Sequence, residues 1–422
     1  MRRPGLEVAD IVRRHAPDYP HALHGEQARV LSAIKVCRTA ELGGHREKCK
    51  SCGHERIAYN SCRDRHCNKC QALARATWVA KQVAELLPVP YFHVVFTMPP
   101  CIASIALQNQ RVVYDILFRA VSETLTRIAA DPKHLGAVIG FLAVLHTWGQ
   151  SLHYHPHLHC IVPGGGLSSD GSRWVPCRRN FLFPVKVLSA LYRGLFLAHL
   201  AEARARGQLE FHGTLVGLRR DQAFSCRLQE AYGAEWVVYA KAPFGGPKQV
   251  VAYLGRYTHR VAISNDRLLK LEDGQVTFRW KDYRDGNTLK TMALEAHEFI
   301  RRLLLHVLPK RFVRIRHFAL LANRNRPTKL ARCRELFNRP APAPAILDWK
   351  AQYEQLTGRA IDQCPACKQG LMQVVQKLPS AHEQRQQLLL GHFQPALLLS
   401  TILAARLLAR LRPRSPPLLV PA

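Results

Sequence analysis

The chain has 422 residues, a hydrophobic fraction of 47% and 61 Lys plus Arg against 30 Asp plus Glu, which leaves a net charge of +31. That length supports two to four domains with a substantial core, and that charge points to a polyanionic partner, nucleic acid ahead of acidic lipid. No uninterrupted apolar stretch favours a membrane, no apolar core follows Met1-Arg2-Arg3-Pro4-Gly5 as in a signal peptide, and the 13 cysteines are clustered, as expected of metal sites in a reduced compartment rather than of disulfides.

Residues 1–40 read as helical, and 45–72 are dense in Cys and His. Leu73 to Leu87 reads as a helix ended by Pro88 and Pro90. The run Tyr91-Phe92-His93-Val94-Val95-Phe96-Thr97-Met98 is β-branched and aromatic, so a strand is expected there, closed by Pro99-Pro100. A helix is expected over about 105–130, a strand over Val138 to Trp148, and a second strand directly after it. Helices are expected over 187–206 and 247–257, with Trp236-Val237-Val238-Tyr239 as a strand between them. Residues 259–294 read as hairpins with turns at Asp273-Gly274 and Asp285-Gly286. A basic helical region is expected over about 295–340, then a linker at Pro340 to Pro344. The apolar tail Ala396 to Leu411 carries Arg406 and Arg410 and is expected to be a packed or partner-seeking helix; Arg412 to Ala422 has the composition of a disordered end.

Cys49-x2-Cys52 and Cys67-x2-Cys70 are two knuckles separated by fourteen residues. That spacing fits one tetrahedral four-thiolate zinc site, structural because it is closed. Cys62, His45, His54 and His66 are surplus: one of them, Cys62 or His66 first, could replace a knuckle cysteine, or two could help form a second site. Cys364-Pro365-Ala366-Cys367 is a single knuckle with no obvious partner pair, as readily a turn as a ligand set.

The expected strand His153-Tyr154-His155-Pro156-His157-Leu158-His159 runs into Gly164-Gly165-Gly166. Alternate residues of a strand share a face, so His157 and His159 project together, about 6.6 Å apart along the chain. Two neutral imidazoles on one face can hold a metal. The third ligand stays open among His155, Gln150, His259 and His93. Tyr253 and Tyr257 are spaced i,i+4, so a helix would put both phenols on one face. Two other readings compete: a DNA-binding regulator with a structural His strand, and a zinc hydrolase. No Asp or Glu lies between Asp131 and Asp170 to act as a hydrolase's general base, which counts against the second.

In order along the chain, five elements together resemble the HUH superfamily of single-stranded-DNA nucleases, and more closely the rolling-circle transposases of the insertion sequence 91 family. They are Ser61-Cys62-Arg63-Asp64-Arg65-His66-Cys67-Asn68-Lys69-Cys70-Gln71, Phe92 to Pro99, His155 to His159 with the glycine turn, Tyr253-Leu254-Gly255-Arg256-Tyr257-Thr258-His259-Arg260-Val261-Ala262-Ile263-Ser264, and Arg316 to Arg326. The resemblance covers most of residues 40–335. It implies an α+β fold: an antiparallel-sheet HUH nuclease domain flanked by helices, a small N-terminal zinc-binding domain and a basic helical C-terminal region. The corresponding boundaries are 1–88, 89–294, 295–345 and a C-terminal extension 346–422. It implies that Tyr253 and Tyr257 are nucleophiles forming a 5′-phosphotyrosine bond, and that His157 and His159 hold Mg²⁺ or Mn²⁺, with His155 the first of the open candidates for the third ligand. Arg256, Arg260, Arg314, Arg316, Arg324 and Arg326 are assigned to DNA. The expected partners are single-stranded DNA at element ends and target, and host replication proteins for strand displacement. The expected location is the bacterial cytoplasm, beside the nucleoid. A covalent intermediate conserves the phosphodiester energy, in keeping with the absence of a Gly-x4-Gly-Lys-Ser/Thr loop.

Overall fold

A computed structural model describes residues 5–241, 249, 255, 262–283, 285–339 and 348–389. In chain order it contains α1 (Val8–His15), α2 (Gly25–Val36), β1 (Gly44–Cys49), β2 (Glu55–Tyr59), α3 (Ala72–Ala84), β3 (Tyr91–Thr97), α4 (Pro100–Gln108) and α5 (Gln110–Ala130). There follow β4 (Gly140–Trp148), β5 (Tyr154–Pro163), β6 (Gly165–Leu167), β7 (Trp174–Pro176), α6 (Val185–Ala205), α7 (Asp221–Gly233) and β8 (Val238–Lys241). The last are β9 (Leu268–Glu272), β10 (Gln275–Asp282), β11 (Thr288–Glu295), α8 (Ala296–Leu304), β12 (Ile315–Ala319), α9 (Ala331–Leu336), α10 (Trp349–Thr357) and β13 (Met372–Leu378). They form two compact units, one built on β1, β2 and β13 and the other on the remaining strands.

The larger unit is organised by an antiparallel sheet in the order β12-β4-β5-β3-β8. One face carries Phe92, Val94, Phe96, Phe141, Ala143, Leu145, Leu158, Cys160 and Val162, packed on Tyr114, Leu117 and Val121 of α5 and Leu188, Tyr192 and Phe196 of α6. The opposite face carries Tyr91, Leu142, Val144 and Ile161, covered by Leu87, Leu320 and Leu330, with Trp78 and Val79 of α3 alongside. Both faces are therefore covered. That is why β3 and β4 read as near-continuous apolar runs rather than as alternations. The histidines of β3, β4 and β5 fall on this second face.

Several expectations take a different form. The helix over 105–130 is broken at Asn109, whose Nδ2 donates to the carbonyls of Ile105 (3.1 Å) and Glu210 (2.9 Å), so α4 and α5 are separate. Pro100 opens α4 rather than merely closing the strand, because its missing N–H costs nothing in a first turn. The basic region 295–340 is not one helical block. Ile315 to Ala319 pairs with β4 as the edge strand β12, with Ile315 packed on one face of the sheet and Phe318 on the other. The β9–β10 turn has Asp273 and Gly274 both at positive φ (48° and 73°), the two-residue hairpin geometry the Asp-Gly pair favours.

In the smaller unit β1 lies between β2 and β13 in an antiparallel sheet. The described stretch 362–389 is thus not a separate extension: β13 completes the sheet that begins at Gly44. The linker at 340–344 and the tail beyond 389 lie outside the described residues.

Candidate metal centre

His157 and His159 are on one face of β5, as alternation requires, while Leu158 and Cys160 point into the opposite core. Their Nε2 atoms are 3.0 Å apart. Two imidazole lone pairs cannot face each other across that gap unless a proton or a cation lies between them. Adjacent ligands of an octahedral ion with ~2.1 Å bonds are separated by about 3.0 Å, so the spacing fits a small divalent cation.

The third member of the group is His146 of β4, not His155. One ring nitrogen from each of His146, His157 and His159 lies within 4.8 Å of the others. His146 is directly across from His157 in the β4–β5 register. The reason His155 is displaced is a bulge. Between the pairs His146↔His157 and Trp148↔Tyr154, β4 supplies one residue and β5 supplies two, His155 and Pro156. A proline has no N–H for the ladder and is tolerated at such a bulge. The extra residue moves His155 out of step with β4. It is the His155 carbonyl that serves, accepting a hydrogen bond from His157 Nδ1 at 2.6 Å. That bond fixes the neutral tautomer of His157 with its Nε2 lone pair toward the group.

His93 of β3 orients the other ligand. Its Nε2 is 2.7 Å from His159 Nδ1, with the two rings parallel at 5.0 Å between centroids. Trp148 stacks on His146 at 4.8 Å. Gln150 is directed elsewhere, its amide donating to the Tyr283 hydroxyl. Burial holds the imidazoles neutral: it pushes His157 down to about 3 and His93 to about 4, and His146 and His159 well below the ordinary range. Each is therefore a lone-pair donor at neutral pH. A hydrogen-bond partner behind each of the β5 ligands is the usual arrangement around a metal-binding histidine. The donor set fits a divalent cation.

Tyr253, Tyr257, Arg256, Arg260 and His259 lie outside the described residues. Gly255, between the tyrosines, is helical and buried, and a Cβ there would collide with the Val79 side chain of α3. Val79 itself packs on the sheet face that bears the histidines.

The arginines assigned to DNA divide. Arg314 is only 7% exposed, and burial lowers its guanidinium to about 10; it sits in the interior and cannot serve as a surface phosphate contact, which corrects that expectation. Arg316 pairs with Asp115 at 2.5 Å and lies over the Phe118 ring at 4.1 Å. Arg326 pairs with Glu85 at 2.7 Å. Arg324 is exposed. Of the aromatic residues among the basic segments, Phe312 is in the core and Phe318 is stacked between Phe118 and Phe141; Trp280 is half-buried.

The cysteines also divide, and the expectation that Cys49, Cys52, Cys67 and Cys70 share one zinc does not hold. The sulfurs of Cys49, Cys52, Cys364 and Cys367 lie within 4.8 Å of one another. Neither alternate, Cys62 or His66, is among them, and His66 is engaged elsewhere. Its Nδ1 is 2.9 Å from Asp64 Oδ1, and its Nε2 accepts from the Leu308 N–H at 3.2 Å, so both ring nitrogens are occupied. Arg29 holds the other oxygen of Asp64 at 2.6 Å, and Arg65 donates to the carbonyls of Phe312 (2.5 Å) and Pro309 (2.9 Å). The Arg63-Asp64-Arg65-His66 stretch therefore ties the chain to the 308–312 loop. Sequence reasoning missed His146 and the partnership of Cys364 and Cys367 with Cys49 and Cys52. The signal for His146 was available in the adjacency of two strands; the cysteine pairings had none.

The family model described as "Transposase zinc-binding domain" matches residues 11–98, and the one described as "Putative transposase" matches residues 140–328. "Putative transposase y4qJ" of Sinorhizobium fredii is 58% identical over 379 residues, 88% of this chain and 95% of that protein. The chain belongs to the insertion sequence 91 family of transposases. "Transposase for insertion sequence element IS801" of Pseudomonas savastanoi pv. phaseolicola is 28% identical over 321 residues, 75% of this chain and 76% of that protein. No solved structure matches the chain. Membership makes this chain a DNA-binding enzyme of transposition with a zinc-binding domain. No helix among its described residues is long and apolar enough to cross a membrane.

Proposed function

We propose that the transposase nicks and rejoins single-stranded DNA through a tyrosine–phosphate bond, on an HUH-type sheet, in rolling-circle transposition. The observation that carries this reading is the convergence of His146, His157 and His159 on the sheet face that Val79 covers, with Gly255, midway between Tyr253 and Tyr257 in the sequence, against Val79. Mg²⁺ or Mn²⁺ on the three imidazoles would polarise the scissile phosphate and stabilise the charge that develops on it. His93 and the His155 carbonyl hold two of those imidazoles in the tautomer and orientation that expose a lone pair. Tyr253 or Tyr257 then attacks phosphorus. The new P–Oη bond forms as the P–O3′ bond breaks, the 3′-oxygen takes a proton, and the 5′ end stays on the enzyme. Reversal with another 3′-OH rejoins the strand without ATP. A phenol of ordinary pKa about 10 is a weak nucleophile, so the reaction needs this activation.

The zinc is structural in this reading, because four thiolates leave no open position. The basic surface, Arg324 included, binds single-stranded DNA at element ends and target, with strand displacement left to host replication proteins in the bacterial cytoplasm. The test is incubation with labelled single-stranded DNA and Mg²⁺ or Mn²⁺. A DNA adduct resistant to denaturation is expected, lost in Tyr253→Phe/Tyr257→Phe with DNA binding retained. An undiminished adduct in that double variant would sink the tyrosine assignment.

A further inference from the structure

We infer that Cys49, Cys52, Cys364 and Cys367 hold a zinc ion of their own, making one zinc ribbon from two knuckles at opposite ends of the chain. Cys364 and Cys367 lie beyond both family-matched segments, 11–98 and 140–328. The inference deepens the zinc-binding reading: the N-terminal module is closed by ligands that arrive some three hundred residues later.

The distances fit zinc. Cys49 Sγ is 3.8 Å from Cys367 Sγ, and Cys52 Sγ is 3.7 Å from Cys364 Sγ. Four sulfurs at ~2.3 Å from a tetrahedral ion are about 3.8 Å apart. A disulfide needs about 2.05 Å.

The two knuckles are also the same turn. In the first, the Cys49 N–H donates to the His54 carbonyl at 2.9 Å and the Gly53 N–H to the Cys49 carbonyl at 3.1 Å. In the second, the Cys364 N–H donates to the Gly370 carbonyl at 2.8 Å and the Lys368 N–H to the Cys364 carbonyl at 3.0 Å. The residue after the second cysteine has positive φ in both: Gly53 at 72° and Lys368 at 59°. For Lys368 that conformation is costly, so something must hold it. Each knuckle aims a backbone N–H at a sulfur: Ser51 at Cys49 (3.4 Å) and Gly370 at Cys367 (3.3 Å). Such bonds favour thiolate over thiol. Gly370 allows the knuckles to meet, since a Cβ there would be 2.5 Å from Cys49 Sγ and 2.6 Å from Ser51 Oγ. The sheet is built to match, with β13 pairing β1 so that Met372 lies opposite Cys49.

The test is thiol alkylation of the zinc-loaded full chain, read by mass spectrometry, with exposed Cys226 as the internal control. Cys49, Cys52, Cys364 and Cys367 are expected to be protected together and released together by a chelator. Cys364→Ser/Cys367→Ser should lose one zinc per chain by elemental analysis. Gly370→Ala, which removes no ligand, should speed release at least tenfold. Alkylation of Cys364 and Cys367 at the Cys226 rate would overturn the inference. So would protection that yields to a reductant but not to a chelator, which would mean disulfides. So would unchanged zinc content in the double serine variant. None of these readouts involves DNA cleavage, so failure here leaves the nuclease reading standing.

Discussion

His146→Ala compared with His155→Ala is the sharpest perturbation of the candidate metal centre, because His146 pairs with His157 at the edge of the bulge while His155 lies within it. Losing a partner behind a metal-binding histidine typically costs 10–100-fold in affinity. Losing the ligand itself should cost at least the upper end, about 100-fold or ~2.7 kcal/mol. His146 is 2% exposed, so its truncation also leaves a cavity with a folding cost of about 2–4 kcal/mol. Adduct yield must therefore be normalised to the folded fraction measured by circular dichroism. The expected outcome for His146→Ala is an adduct abolished at low Mn²⁺ and partly restored at roughly 100-fold higher Mn²⁺. His155→Ala keeps the carbonyl that orients His157, so its adduct yield should stay within about threefold of the parent. Loss of the adduct in His155→Ala with retention in His146→Ala would refute the bulge argument. It would return the third position to His155.

Three further outcomes follow from the same geometry. Without metal, the buried histidines bind fewer protons folded than unfolded, so stability should be full above about pH 6.5 and fall as acid protonates the unfolded chain, with a slope of up to ~1.4 kcal/mol per pH unit for each; a urea midpoint unchanged between pH 7.5 and 5 would contradict this. Gly255→Val should cut adduct formation at least tenfold while leaving metal affinity intact, and Val79→Ala in that background should recover part of it; no recovery would mean that the contact with α3 does not position the tyrosines. Single-stranded DNA should be bound more tightly than duplex, with a log–log salt slope of about 0.7 per phosphate contact, and equal affinities with a shallow slope in oligonucleotide titrations would favour a regulator over a nuclease.

What could be read from the sequence was local. The alternation of His157, Leu158 and His159 placed two imidazoles on one face, and the Asp273-Gly274 pair marked a turn, because period and turn chemistry act over a few residues. What could not be read depended on register and closure. His155 and His157 obey the same alternation as His157 and His159, yet Pro156 makes the difference. It turns two residues of β5 into the partner of one on β4, and the third imidazole of the group then comes from the neighbouring strand. The arginines misled for a related reason. Arg316 lies in a segment whose Ile315 and Phe318 side chains seek the sheet, so the charge is carried on a strand and paired to Asp115 rather than arrayed along a helix.

The cysteines make the same point most strongly. The fourteen-residue gap between Cys52 and Cys67 is the right length for one zinc site, and the chain makes no such site. A thiolate needs three partners in a tetrahedron, and sequence proximity is only one way of supplying them. Here the β1–β2 hairpin delivers Cys49 and Cys52, and β13, folding back on β1, delivers Cys364 and Cys367 to the same point. Closing so long a loop costs little more entropy than closing a short one, since the cost grows only with the logarithm of its length. A metal site assembled this way binds the end of the chain to its beginning, and the module that begins at Gly44 cannot be complete until Cys367 has been made.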